Sequence, residues 1–127
     1  MLKRCVDMKR DMDLIRKILL EIDLDEHGYV SRNIEIPDYT QEQINYHAFL
    51  LGEAGLAIVS NIADNRSKSP EARIIRLTWA GHEFLDSARE NNIWNQAKDK
   101  ISKIGGASLP IWTNLLTELI KKKLGII

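Results

Sequence analysis

Two runs constrain the fold most: Gly55-Leu56-Ala57-Ile58-Val59-Ser60-Asn61-Ile62 and Arg73-Ile74-Ile75-Arg76-Leu77. Both are short and rich in β-branched residues, and the polar segment between them contains Pro70. They read as two antiparallel strands joined by a loop of about ten residues. Apart from a short extended segment around residues 33–36, the rest of the patterned sequence is helical. The expected class is therefore α+β, mainly helical.

Met8, Met12, Ile15, Ile18, Leu19 and Ile22 recur at three- and four-residue steps and predict a helix within residues 8–24. Lys9, Arg10, Asp13, Arg16, Lys17 and Glu21 form its solvated face. Asp25-Glu26-His27-Gly28 ends it, and Pro37 closes the extended segment that follows. Thr40 and Gln43 have the spacing of a capping box, which starts a second helix over residues 41–54, ended by Gly55. Thr78 stands at an N-cap position before Gly81, Phe84, Leu85 and Ala88. A second stripe, Trp94, Ala97, Ile101 and Ile104, is rotated from that one. The long helix of residues 79–104 is thus expected to kink, break or change packing partner at Glu90-Asn91-Asn92. After Gly105-Gly106, Ser108 can cap a last helix with the stripe Leu109, Trp112, Leu116, Leu119 and Ile120. Lys121, Lys122 and Lys123 complement the negative end of its dipole.

The chain's 127 residues fit one domain with an added terminal element. We place that domain at residues 1–104, with 1–7 as an N-terminal extension, and the C-terminal amphipathic helix at 105–127, packing on the domain or dimerising. Eighteen basic and eighteen acidic residues cancel, so any nucleic-acid site must be local rather than a whole-molecule field. Cys5 is the single cysteine, which excludes an internal disulfide and any zinc spacing. The N-terminus lacks the apolar core of a signal peptide, and no run approaches the roughly 20 apolar residues of a membrane span. The expectation is a soluble, cytoplasmic protein.

Helix, short strand, helix, two-stranded wing, long helix is the order of a winged-helix domain, with an extra C-terminal helix. Residues 29–38 leave too little room for the helix that normally precedes the recognition helix. Three motifs, M-K-R-D-M-D-L-I-R-K-I-L-L from Met8, Y-H-x-x-L-L-x-E-A-G-L from Tyr46 and R-L-T-W-A-G-H-E-F-L-D from Arg76, resemble domain-of-unknown-function family 2513 of bacteria, phages and prophages. The resemblance runs over about residues 8–116. It implies a bacterial or phage origin, a winged-helix-like fold and a chain start near Met8, and it brings no assigned activity or catalytic residues.

Candidate chemistry is sparse. A zinc-protease helix needs two histidines four apart, whereas the position four after His82 is Asp86, and nothing completes a ligand set with His82, Glu83 and Asp86. No Gly-x-Ser-x-Gly turn or phosphate-cradling loop is present. We expect no enzyme, no catalytic residue, no metal and no cofactor. Arg66, Lys68 and Arg73 in the wing could meet phosphates, with Gln41 and Asn45 reaching bases, as in a DNA-binding regulator. Helix two argues against this reading. At about 100° per residue, Ile44, His47, Leu51 and Ala54 take one side, while Glu42, Tyr46, Phe49 and Glu53 take the other. Its outer face therefore opposes phosphate and offers no arginine to guanine. The preferred expectation is a non-enzymatic, self-associating module that binds protein through Tyr46 and Phe49, with a rim of Glu42 and Glu53. Trp79, Trp94, Ile101, Trp112, Leu116 and Leu119 complete the candidate interface.

Overall fold

The computed structural model describes residues 8–126. Cys5 and the extension 1–7 lie outside the described residues. The fold is α+β and mainly helical, with five helices and one two-stranded antiparallel sheet among the described residues. The chain parts into two compact units, Met1–Gly81 and His82–Ile127.

In the first unit, α1 (Met12–Ile22) buries Leu14, Ile15, Ile18, Leu19 and Ile22. It is shorter than the 8–24 periodicity suggests. Asp11 is its N-cap, accepting from the amides of Asp13 and Leu14, and this fixes the start at Met12, four residues beyond Met8. Leu24 falls past the end and is exposed. Arg32 closes the following turn, donating to Asp25 at 2.9 Å and to the backbone carbonyl of Glu21 at 2.8 Å.

The extended segment around residues 33–36 is not a strand. The chain here is tied to the sheet by the Val30 amide, which donates to the Ile75 carbonyl at 2.9 Å. Buried Ile34 and Ile36 hold the rest through side chains. Pro37, without an N–H, cannot extend a ladder.

The predicted capping box starts α2 (Gln41–Glu53): Thr40 accepts from the Gln43 amide, and the Gln43 side chain accepts from the Thr40 amide. Ile44, His47, Ala48 and Leu51 form its buried face. Ala54, expected on that face, is instead the exposed C-cap. This helix packs on α1 and on both strands, β1 (Ala57–Asn61) and β2 (Ala72–Leu77). The strands pair antiparallel, with Ile58 opposite Arg76 and Ser60 opposite Arg73, and the register shifts between Ile58 and Val59.

At the end of β2, Thr78 holds two elements together. Its hydroxyl donates to the Gly55 carbonyl at 2.6 Å and accepts from the Gly81 amide at 3.1 Å, so it caps α3 (Trp79–Ala88) as expected. Gly81 is required there, because a Cβ would overlap the Leu56 carbonyl oxygen.

The long helix of residues 79–104 is two helices. The second, α4 (Asn91–Ser102), begins where the two apolar stripes lose phase, and Glu90 accepts from the Ile93 amide as its N-cap. In the second unit, α5 (Leu109–Leu124) packs on α4. Trp94 and Trp112 stack with centroids 4.5 Å apart, and Ile93, Ala97, Ile101 and Leu116 are buried with them. Ser108 is the N-cap of α5 by backbone position, without a side-chain bond. Lys123, from the last turn of α5, donates to Glu90 at 2.6 Å. That bond is the main reason Glu90 titrates below the usual carboxylate range, with the Ile93 amide adding to it.

Candidate interaction surface

The β1–β2 loop is bound to α2 by hydroxyl and amide donors. Ser69 donates to Glu42 at 2.8 Å. At the base of the loop, Glu71 accepts from Asn45 at 3.1 Å and from Ser67 at 2.8 Å. Gln41 in turn donates from its side-chain amide to Asn45 Oδ1 at 2.8 Å. These bonds account for three residues the sequence placed at surfaces. Glu42 faces the loop rather than forming a free rim. Gln41 and Asn45 each donate within the chain, which competes with contacts to base edges. Arg66, beside Asp64 at 3.7 Å, Lys68 and Arg73 are all exposed.

Tyr46 and Phe49 are only half-exposed, while Glu53 is exposed. Trp94, Ile101, Trp112 and Leu116 are consumed in packing within the second unit, and Leu119 is half-buried at its margin. Four of the ten candidate interface residues therefore present no surface in this conformation. Trp79 differs from the other apolar candidates: at the first position of α3 it is 80% exposed. Below Trp79 in the chain, the outward side of the hairpin carries Ile58 and Ser60 from β1 and Arg73 and Arg76 from β2, all exposed. Ile62, just beyond β1, is exposed as well. Neither arginine forms a salt bridge among the described residues. Sequence reasoning missed Ile58, Ile62 and Arg76 as surface residues, although alternation along the strands was the signal that could have found them.

His82 and Glu83 are exposed, and Asp86 pairs with Arg89 at 3.2 Å rather than with His82. No group of three or more metal-ligating side chains occurs among the described residues. Nor is any described helix long and apolar enough to cross a membrane.

The most constrained titratable group is His47, only 1% exposed. A carbonyl accepts and an amide donates, which assigns the tautomer: Nδ1–H donates to the Gln43 carbonyl at 2.8 Å, and Nε2 accepts from the Asp11 amide at 2.9 Å. Burial lowers its pKa, against the opposing pull of the Gln43 carbonyl and the Asp11 charge. Tyr39 donates to Asp11 Oδ2 at 3.1 Å. Burial first, then the Asp11 charge, pushes its pKa up to about 12. Asp11, Tyr39 and His47 thus form a junction that ties the start of α1 to α2. Sequence reasoning placed His47 on the buried face but had no signal for its partners, which lie 36 and 4 residues away.

Class and family follow from these features and from sequence comparison. The chain is an α+β, mainly helical protein whose described residues hold one short β-hairpin packed on a capped helix. The family model described as hypothetical protein (DUF2513) matches residues 9–108, and the chain belongs to that family. It is similar to an uncharacterized protein of Haemophilus influenzae, 39% identical over 98 residues, covering 74% of this chain and 79% of the relative. No solved structure matches it.

Proposed function

We propose that this protein is a non-enzymatic, winged-helix-like module that binds another protein in the cytoplasm of a bacterium or a phage-infected cell. The order α1, α2, β1, β2, α3 supports the winged-helix part of that reading. The observation that carries the binding part is Trp79, a large amphipathic side chain 80% exposed on a first helical turn. That turn is held by the Thr78 bonds and the Gly81 approach. A tryptophan on such a rigid mount gains by burial against a partner at little further entropic cost. The amides tied up on α2 count against base reading in the DNA-binding alternative.

Trp79→p-benzoylphenylalanine, irradiated in bacterial cells, is expected to give a discrete protein adduct. Duplex DNA titrated at two salt concentrations is expected to show no steep dependence. Tight, strongly salt-dependent DNA binding that disappears on changing Arg66, Lys68 and Arg73 to Ala would replace this reading with the DNA-binding one. Self-association, if it uses α5, falls to exposed Ile111 and Leu124, with Leu119 half-buried at the margin of the α4–α5 seam. A dimer by light scattering is the outcome that use requires, and a monomer at high concentration removes it.

A further inference from the structure

Among the described residues His47 is the one polar side chain in the buried core, and both of its ring nitrogens are in use. Nε2 accepts from the amide of Asp11, the residue that caps α1. Asp11 Oδ1 in turn accepts from the Asp13 amide at 2.9 Å and the Leu14 amide at 3.3 Å, while Oδ2 accepts from Tyr39 at 3.1 Å. One residue thus couples the first turn of α1 to α2 and to the turn that precedes α2.

A ring nitrogen that accepts a hydrogen bond is also a base. A proton taken from solvent on Nε2 turns the acceptor into a donor and sets two N–H groups against each other. The Asp11 carboxylate is the charge that acts on this ring. Its approach to the new cation would draw it away from the α1 amides and from Tyr39. By either route the cap of α1 is lost. We propose that the Asp11–His47 contact is a proton-operated latch, in which a proton on Nε2 frees the first turn of α1 from α2 while the rest of the fold stays closed. The remainder has its own hold, because Ile18, Leu19 and Ile22 stay buried along α1 and α2 packs on both strands.

The other ionisable groups nearby act elsewhere. Asp13 and Asp38 act on Tyr39, and Lys17 lies 5.3 Å from the centre of its ring. Lys9 and Arg10 precede Asp11 in the chain and are exposed. On α2 the imidazole meets the Gln43 carbonyl and, 5.7 Å away and edge-on, the Tyr46 ring. The buried strand residues Ala57, Ala72, Ile74 and Leu77 carry no titratable group. Burial makes the closed ring a weaker base than an ordinary histidine at 6.5, and a ring opened to water regains its basicity, so acid favours the open form. Below 6.5, down to the value of the closed form, each unit of pH multiplies the open fraction about tenfold.

The full chain, isotope-labelled, is followed by nuclear magnetic resonance from neutral pH to about pH 5.5. At neutral pH the His47 ring is expected to carry its proton on Nδ1. On acidification the Asp11, Asp13 and Leu14 amides are expected to lose hydrogen-exchange protection, corrected for the unstructured-chain rate at each pH, by about tenfold more than Leu51 within α2. That loss should follow the titration of the His47 ring. His47→Gln, which accepts the Asp11 amide without titrating, is expected to abolish it. A ring protonated on Nε2 at neutral pH, protection that does not change, a loss shared equally by Leu51, or the same loss in His47→Gln each overturns the latch. Should circular dichroism show that variant unfolded, the natural chain decides: local loss in step with the ring supports the latch, and loss at a different pH overturns it.

Discussion

At Gly81 the backbone of α3 passes against the Leu56 carbonyl with no room for a side-chain carbon. Gly81→Ala must therefore push a helix off a strand junction, and we expect a loss of about 3 kcal/mol, measured by urea denaturation. His47 makes a different prediction. Its folded pKa lies below the ordinary 6.5 because the ring is buried, so above that value both folded and unfolded chains hold it neutral. As pH falls below 6.5 the unfolded chain takes up a proton that the folded chain resists, and stability declines. A protonated ring would also set an N–H against the Asp11 amide. The urea midpoint is expected to drop between neutral pH and about pH 5.5. His47→Gln, whose carbonyl can accept the same amide without titrating, should flatten that slope. A slope unchanged in the variant would show that other groups carry it. The sequence placed Gly81 on the apolar stripe of the third helix and His47 on the buried face of the second, but it could not name the groups that either one meets. Both depend on backbone groups brought close only by tertiary contact.

Among the elements, α2 is the most legible, because its start is encoded locally. Thr40 and Gln43 satisfy one another's amides across three residues of chain. Thr40→Ala is expected to cost about 1 kcal/mol, seen as a lower urea midpoint with an unchanged slope. The α3–α4 break was also visible as a phase slip between two apolar stripes, since period is a local property. What the stripe could not reveal was the seam that Trp94 and Trp112 make together. With the rings stacked 4.5 Å apart, Trp112→Ala is expected to cost about 3–5 kcal/mol and to weaken the near-ultraviolet dichroism of the pair. A change smaller than 1 kcal/mol would mean that the seam contributes little. The expected strand near residues 33–36 failed for the opposite reason. Its sequence suits extension, but Pro37 and the lack of ladder pairing leave it anchored by buried Ile34 and Ile36 and by the Val30 amide on the Ile75 carbonyl.

Across the whole molecule, the three tryptophans separate the exposed surface from the packed interior: Trp79 is 80% exposed, whereas Trp94 and Trp112 are 1% and 4% exposed. Acrylamide should quench one accessible fraction of the fluorescence in the intact chain, and Trp79→Phe should abolish that fraction. Quenching of all three alike would mean that the α4–α5 seam opens in solution. This division also explains why four of the ten candidate interface residues were unreadable at the start. An amphipathic stripe states that a side chain will be buried but not by what, and a partner chain and a neighbouring helix leave the same pattern. The sequence by itself determined the class, the helix starts at Thr40 and Thr78, the hairpin and the break before Asn91. Each of these follows from spacing within a turn or a strand, where bonding is local. Tertiary structure alone decided which apolar and polar groups remain free, because burial, the locking of Gln41, Asn45 and Glu42, and the exposure of Trp79, Arg73 and Arg76 depend on segments far apart in the chain.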